Sequence, residues 1–322
     1  MSQTFFIVGA TAAGKSELAA ELARETGGEI VNADAFQIYR GLDLLTAKPD
    51  PATLAKASHH LIGTTPLREE MNAEKYRRAA LRVIEEIHSR GKLAIVAGGS
   101  GLYIKALTHG LAPWPEPNPT LRDKLNAMSL DELHAKLIES DPQMARTIDM
   151  KNRRRVLRAL ELCLLTGKPA SGQRKQWAVA EGGDLGSVGD ARPRSMSPST
   201  GVFVFRDREE LYSRINRRVE AMFENGVIEE VKTAGSVSPT ASQMIGFREI
   251  TRLLGGEMSI SQCIAAIQQA TRRYAKRQLT WFKRQTNFSA LNLSLLTHNE
   301  AMIVLRMLLE RRRVSGFAEK ND

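Results

Sequence analysis

Thr4-Phe5-Phe6-Ile7-Val8-Gly9-Ala10-Thr11-Ala12-Ala13-Gly14-Lys15-Ser16 carries the strongest fold signal in this chain. A short apolar, partly aromatic run stops at a glycine. The letters G-x-x-x-x-G-K-S follow, and then a helical pattern: Leu18, Leu22 and Ala23 on one side, Glu17, Glu21, Arg24 and Glu25 around it. Strand, loop and helix in that order predict a phosphate-binding loop. Gly9 and Gly14 open backbone conformations closed to residues with a side chain. The amides of Ala10, Thr11, Ala12 and Ala13 can then turn toward an anion at the positive end of the helix starting near Lys15. Lys15 adds a full positive charge, and the Ser16 hydroxyl is placed to touch a phosphate-bound Mg2+.

Farther along, Gly28 to Asp34 reads as a second strand ending at a carboxylate. Ligands of open α/β sheets sit at the carboxyl ends of strands, so Asp34 is expected to face the same crevice as the loop. An irregular loop closed by Pro49 follows, and His59-His60-Leu61-Ile62 is a candidate edge strand. Between Asn72 and Arg90, Tyr76, Ala80, Val83, Ile84 and Ile87 recur at helical spacing. Lys92 to Ala97 is then almost wholly apolar, as in a buried parallel strand. The alternation predicts an α/β fold: a P-loop NTPase-like parallel sheet flanked by helices. The 93–97 strand ends in Gly98-Gly99-Ser100-Gly101 rather than in an aspartate that would hold Mg2+ and its water. This counts against nucleotide hydrolysis and favours a fold that grips phosphates but runs different chemistry.

Pro113, Pro115, Pro117 and Pro119 mark a boundary near 112–118. Helices are expected at about 120–127, 129–140 and 152–166 with no strand between them, a helical insertion over 112–175. Residues 176–200 are expected to form a flexible loop, poor in apolar side chains over 181–200. Gly201 to Phe205 returns as a strand of the parent sheet. Helices at 207–225, 227–234, 246–254, 259–286 and 298–312 follow, so 1–111 and 201–314 together make the core, with a frayed tail at 315–322.

The 322-residue chain is long enough to bury an ample core. No apolar run approaches the ~20 residues of a membrane span, and the N-terminus lacks a basic leader. Cys163 and Cys263 are the only cysteines, which excludes a disulfide framework and a cysteine-based zinc cluster. A reducing cytoplasm is the natural home.

The net charge of +10 matters less than its placement. Residues 271–285 (Thr271-Arg272-Arg273-Tyr274-Ala275-Lys276-Arg277-Gln278-Leu279-Thr280-Trp281-Phe282-Lys283-Arg284-Gln285) carry six basic side chains and no acidic one. As a helix, this segment buries Ala275, Leu279 and Phe282 and presents Arg272, Lys276 and Arg277 to a phosphate backbone, with Tyr274 or Trp281 available to stack. A second cluster, Arg153-Arg154-Arg155-Val156-Leu157-Arg158, opens the last insertion helix. A solvated cationic face would explain either cluster alone, but two of them beside a phosphate loop favour a structured polyanion.

Taken together, these residues resemble the tRNA dimethylallyltransferase (tRNA isopentenyltransferase) family over nearly the whole chain. The resemblance rests on GATAAGKS (9–16), NADAFQIYRGLDLLTAKP (32–49), SHHLIG (58–63), GGSGLYIKALTHGL (98–111), RRVLRALELCLLTGKP (154–169), the run from Arg214 to Gly226, QMIGFR (243–248) and TRRYAKRQLTWFKR (271–284). It implies transfer of a dimethylallyl group from dimethylallyl diphosphate, with Mg2+, to the N6 amine of the adenosine just 3′ of a tRNA anticodon, by a monomer. It also implies roles. Asp34 matches the general base, Ser100 keeps the hydroxyl of a family threonine, and Arg218 and Lys15 match groups on the diphosphate. Asp34, Ala35, Phe36, Gln37, Ser100, Arg122, Arg154, Arg155, Val156, Leu157, Arg158, Gln243, Met244, Ile245, Gly246, Phe247 and Arg248 match tRNA-contacting segments. Ala35 stands where the family often has serine, Leu44-Leu45 where Ile-Gly is usual, Gly63 for an aspartate and Phe247 for a tyrosine.

Two other functions are weighed against this one. A small-molecule enzyme on a P-loop, acting on a nucleotide, needs neither the basic 271–285 helix nor the long C-terminal part. A non-catalytic RNA-binding protein needs neither Asp34 nor Arg218.

Overall fold

β1 (Thr4–Gly9) sends Phe5 and Ile7 to one side and Phe6 and Val8 to the other, all four fully buried. A strand covered on both faces belongs in the middle of a parallel sheet. β1 pairs in parallel with β4 (Ala94–Gly98), Phe6 opposite Val96, and with β5 (Thr200–Phe205), Ile7 opposite Val202. β2 (Glu29–Asn32) pairs with β4 and with the two-residue β3 (His59–His60), the expected edge strand. β6 (Ser289–Asn292) pairs with β5, giving the order β3-β2-β4-β1-β5-β6, all parallel. This computed structural model describes residues 4–111, 114–172, 200–285 and 288–318.

Helices cover both faces. On the Phe5/Ile7 side lie α1 (Lys15–Thr26), through Leu18, Leu22 and Ala23, and the C-terminal helix 298–318, through Ala301, Met302 and Leu305. The short α2 (Pro51–Leu54) is capped by Asp50, whose carboxylate accepts from the Thr53 amide. On the Phe6/Val8 side lie α3 (Ala73–Ser89), with Tyr76, Ala80, Ile84 and Ile87 buried as the spacing predicts, and α4 (Gly101–Thr108).

Residues Leu111–Pro193 form a separate compact unit, the other being Met1–Gly110 with Arg194–Asp322. Its described elements are helical: α5 (Pro119–Asn126), α6 (Leu130–Ser140), α7 (Pro142–Thr147) and α8 (Arg153–Thr166). They bury Leu125, Leu133, Leu137, Met144, Val156 and Leu160 against one another. α9 (Arg208–Glu224), α10 (Val227–Lys232), α11 (Phe247–Leu254), α12 (Ile260–Phe282) and α13 (His298–Ala318) complete the larger unit.

Three features depart from the sequence expectation. β6 was not expected: four residues are too few to display a period of two, and its Ser289 and Ala290 are exposed. α7 was not expected either; six residues give no helical repeat, and Asp141 builds it by capping Met144 N at 2.9 Å. α13 continues to Ala318 instead of ending near 312, so Ser315–Ala318 are helix rather than tail. No proline interrupts 298–318, and Gly316 alone costs only about 1 kcal/mol of helix propensity. The flexible loop expected over 176–200 lies, but for Thr200, outside the described residues, as do 319–322.

Candidate active site

The carboxyl ends of β1, β2 and β4 release the chain at one edge of the sheet. A cavity of about 540 Å³ opens there, lined among others by Lys15, Ser16, Asp34, Gln37, Arg214 and Arg218. The phosphate loop and the candidate carboxylate thus share one space.

The loop's shape is set by close packing. Gly9 has φ +154°, and a Cβ on it would lie 2.1 Å from the Val204 carbonyl oxygen of the neighbouring strand. Ala12 takes φ +62°, a conformation side chains rarely adopt and one that costs roughly 1 kcal/mol or more. Cations hold the loop in that shape. Lys15 Nζ donates to Ala10 O at 2.7 Å, Arg214 Nε to Ala12 O at 2.9 Å, Arg206 Nε to Ala13 O at 3.1 Å, and Arg218 Nη1 to Thr11 Oγ1 at 3.1 Å. Burial pulls the Lys15 ammonium down to about 8; Asp34 nearby opposes the shift and Arg218 adds to it. Arg218 is likewise lowered, by burial first and then by Arg214, against the attraction of Asp34. A cavity that crowds Lys15, Arg214 and Arg218 together is short of negative charge, and an anion would relieve it.

Asp34 is positioned by backbone. Its Oδ1 accepts from Phe36 N at 2.9 Å and Gln37 N at 3.3 Å, an Asx turn. Ser100 Oγ accepts from Ala35 N at 2.8 Å, so the end of β4 fixes the turn that follows β2. Ser100 therefore lies behind Asp34, with 8% of its surface exposed. Gln37 Nε2 donates to Ala47 O at 2.8 Å and steadies the 42–48 loop. That loop's Leu45 packs on the QMIGFR segment: a Cβ on Gly246 would lie 2.7 Å from Leu45 Cδ1. Ala35, Phe36, Ile245 and Phe247 are half-buried against the same core.

The other candidate RNA contacts divide. Arg154, Arg155, Gln243, Arg248, Lys276 and Arg277 are exposed. Val156, Leu157 and Met244 are not: they lie in the cores of their units, so their side chains support the fold rather than meet RNA. Gly246 is buried as well. Arg122 and Arg158 both bind the fully buried Glu161, at 3.0 and 2.6 Å, and hold its carboxyl below the usual range against the opposing effect of burial. Arg272 is also committed: it donates to Asn216 Oδ1 at 2.6 Å and lies over the Tyr212 ring. The exposed cationic face of α12 instead lines a depression of about 320 Å³ with Lys276, Arg277, Thr280, Trp281 and Arg284, Arg277 lying over the Tyr274 ring at 5.7 Å.

Sequence reasoning missed Arg206, Arg214, the half-buried phenol of Tyr274 beside Asp34, and Gln278. Arg214 had a signal, its place four residues before Arg218 on one helix face. Gln278 had one too, a polar residue on the apolar stripe of Ala275 and Phe282, 5% exposed.

For Mg2+, Ser16 offers a hydroxyl at the cavity wall, next to Lys15. Among the described residues no three carboxylates, histidines or cysteines converge on a metal site. Mg2+ fits such a place when phosphate oxygens and water complete its shell.

The family model for IPP transferase matches residues 37–285. The tRNA dimethylallyltransferase of Geobacter sulfurreducens is 44% identical over 287 residues, covering 86% of this chain and 88% of the relative. The tRNA dimethylallyltransferase 1 of Citrifermentans bemidjiense is 42% identical over 283 residues, 87% of this chain and 88% of the relative. The crystal structure of the full-length tRNA isopentenylpyrophosphate transferase of Bacillus halodurans matches with a TM-score of 0.67 at 30% identity, over 98% of this chain and all of that one. A eukaryotic dimethylallyltransferase acting on tRNA matches with a TM-score of 0.72 at 25% identity, over 90% of this chain and 74% of that one. The P-loop core, its helical insertion and these matches together place the chain in the IPP transferase family, that of the tRNA dimethylallyltransferases.

Proposed function

We propose that this protein transfers the dimethylallyl group of dimethylallyl diphosphate to the N6 amine of the adenosine 3′ of the anticodon in tRNA. The observation that carries this is the shared cavity, with Asp34 facing the cations of the phosphate loop. The diphosphate lies on the loop amides, and Lys15 and Arg218 neutralise it as the C–O bond breaks and the electron pair leaves with the diphosphate. Ser16 would hold Mg2+, which supplies further charge there. An exocyclic adenine amine is a weak nucleophile because its lone pair is delocalised into the ring. Asp34 takes the N6 proton as the new C–N bond forms. The adenine must leave its stack to reach Asp34. Lys276, Arg277, Arg284, Arg154, Arg155 and Arg248 meet the phosphate backbone. The enzyme works as a monomer in the cytoplasm; no helix among the described residues is long and apolar enough to cross a membrane.

The test is incubation with labelled dimethylallyl diphosphate, Mg2+ and bulk unmodified tRNA, with AMP and ATP as rival acceptors. Label in an N6-modified adenosine of tRNA is expected. Label in AMP or ATP alone would make the protein a small-molecule prenyltransferase.

A further inference from the structure

Gln278 sits on the buried face of α12, the helix whose opposite face carries Lys276 and Arg277. Its amide joins two parts of the active site that no other side chain bridges among the described hydrogen bonds. The Thr11 N–H of the phosphate loop donates to Gln278 Oε1 at 2.8 Å, and Gln278 Nε2 donates to Gly99 O at 2.9 Å. These partners fix the orientation of the amide: the backbone N–H needs the oxygen, the carbonyl needs the nitrogen. The site is cut to fit. A Cβ on Gly99 would lie 2.3 Å from Gln278 Nε2 and 2.8 Å from Gly9 O, so only glycine leaves room for the amide at the end of β4. Gly99 precedes Ser100, whose hydroxyl holds the Ala35 amide of the Asp34 turn. One turn earlier on α12, the Tyr274 phenol is raised by burial and by the charge of Asp34.

We infer that Gln278 is a positioning residue that sets the donor cradle against the Asp34 turn, holding the first turn of the phosphate loop at a fixed distance from the end of β4. Gln278 occupies the Thr11 amide with its oxygen, so that N–H is kept out of the cradle and the remaining amides, with Lys15, are aimed at the anion. Without it, Thr11 N–H and Gly99 O are left unpaired in a buried place, and the loop must shift to satisfy them. The consequence falls on the donor, because Thr11 lines the donor's cavity and the amides that follow it form the cradle. It spares tRNA docking, which uses the exposed face of the same helix.

This inference rests on the proposed transfer reaction for its kinetic test, but not for its binding test. Gln278→Met removes both hydrogen bonds at similar volume. It is expected to raise the KM for dimethylallyl diphosphate about 10-fold or more, while the Kd for unmodified tRNA stays within about 2-fold. Gln278→Glu keeps an oxygen for the Thr11 amide and loses the N–H to Gly99. It is expected to fold, and to raise the donor KM by a smaller factor than Gln278→Met. In parallel, the thermal shift given by inorganic diphosphate with Mg2+ is expected to shrink in Gln278→Met relative to wild type, which reads the cradle even if no prenyl transfer occurs. A folded Gln278 variant whose donor KM and diphosphate shift match wild type would overturn the inference. So would a variant that weakens tRNA and donor equally, the mark of a merely structural glutamine. Absence of transfer by wild type with an intact diphosphate shift would instead strike at the proposed reaction alone.

Discussion

Individual side chains in the cavity make opposite demands on charge. Lys15, drawn down to about 8 by burial, is held by the Ala10 carbonyl until an anion arrives. Above about pH 8 it loses its proton in the donor-free protein, so the donor KM is expected to climb with pH there; a flat profile well into the alkaline range would show that Lys15 does not meet the diphosphate. The same shift has a stability consequence of known sign. An unfolded lysine titrates near 10.5, so between about 8 and 10.5 the unfolded chain binds more protons and this group's contribution to stability rises with pH. Asp34 makes the second demand. Asp34→Asn preserves the Asx turn with its amide oxygen but cannot take a proton, so kcat is expected to fall by about 10²–10⁴ with the tRNA Kd unchanged. Single-turnover transfer and filter binding read the two separately, and an unchanged kcat would remove Asp34 as the base. These residues were legible in sequence because each sits in a local pattern: Gly9 and Ser16 in the loop motif, Asp34 after β2. Arg206 follows a strand as well, but its partner Ala13 O is 193 residues away, and no local pattern announces such a contact.

At the level of the element, α12 is two helices in one. Its buried face (Ala275, Gln278, Phe282) builds the site, and its exposed face carries charge. The periodicity gave both faces but misassigned Arg272, because a hydrogen bond to Asn216 on α9 is a tertiary fact. Replacing Lys276, Arg277 and Arg284 by alanine is therefore expected to weaken tRNA binding and to flatten its salt dependence, by about one unit of log–log slope for each phosphate no longer neutralised. Arg272→Ala should leave that slope alone and lower the melting temperature instead. Equal slopes for the triple variant and wild type would make the face scaffold. In the helical unit, likewise, Arg154 and Arg155 are available to RNA while Arg122 and Arg158 are bound to Glu161. The strands were read well where both faces are buried, since an unbroken apolar run between glycines has few other fates. β6 and α7 were not, because each is shorter than the repeat that would reveal it.

For the molecule as a whole, charge is distributed unevenly over the sheet. The carboxyl end concentrates cations around the cavity. Elsewhere β2 buries Glu29, bound by His60 at 2.7 Å, Arg90 at 2.7 Å and Lys92 at 2.9 Å. Burial alone would raise this carboxyl, but hydrogen bonds from Lys92, His60 and Arg90 overcome it and bring it down to about 2. The stability it contributes is present above the unfolded value near 4.5 and is lost as the pH falls toward 2. Urea midpoints across that window are expected to drop in wild type and to stay flatter in Glu29→Gln; parallel curves would mean the cluster contributes nothing. Because Glu29 does not line the cavity, this variant is also a control for effects that act through the fold alone. The central claim is that the glycine-bounded loop and Asp34 serve one reaction. A crystal structure with inorganic diphosphate and Mg2+ bound tests this most directly. Density for the diphosphate on the 12–16 amides, with Lys15 and Arg218 turned onto it and the Asp34 carboxylate facing it across the cavity, is the result predicted. Diphosphate bound elsewhere, or an Asp34 side chain directed out of that space, would contradict it.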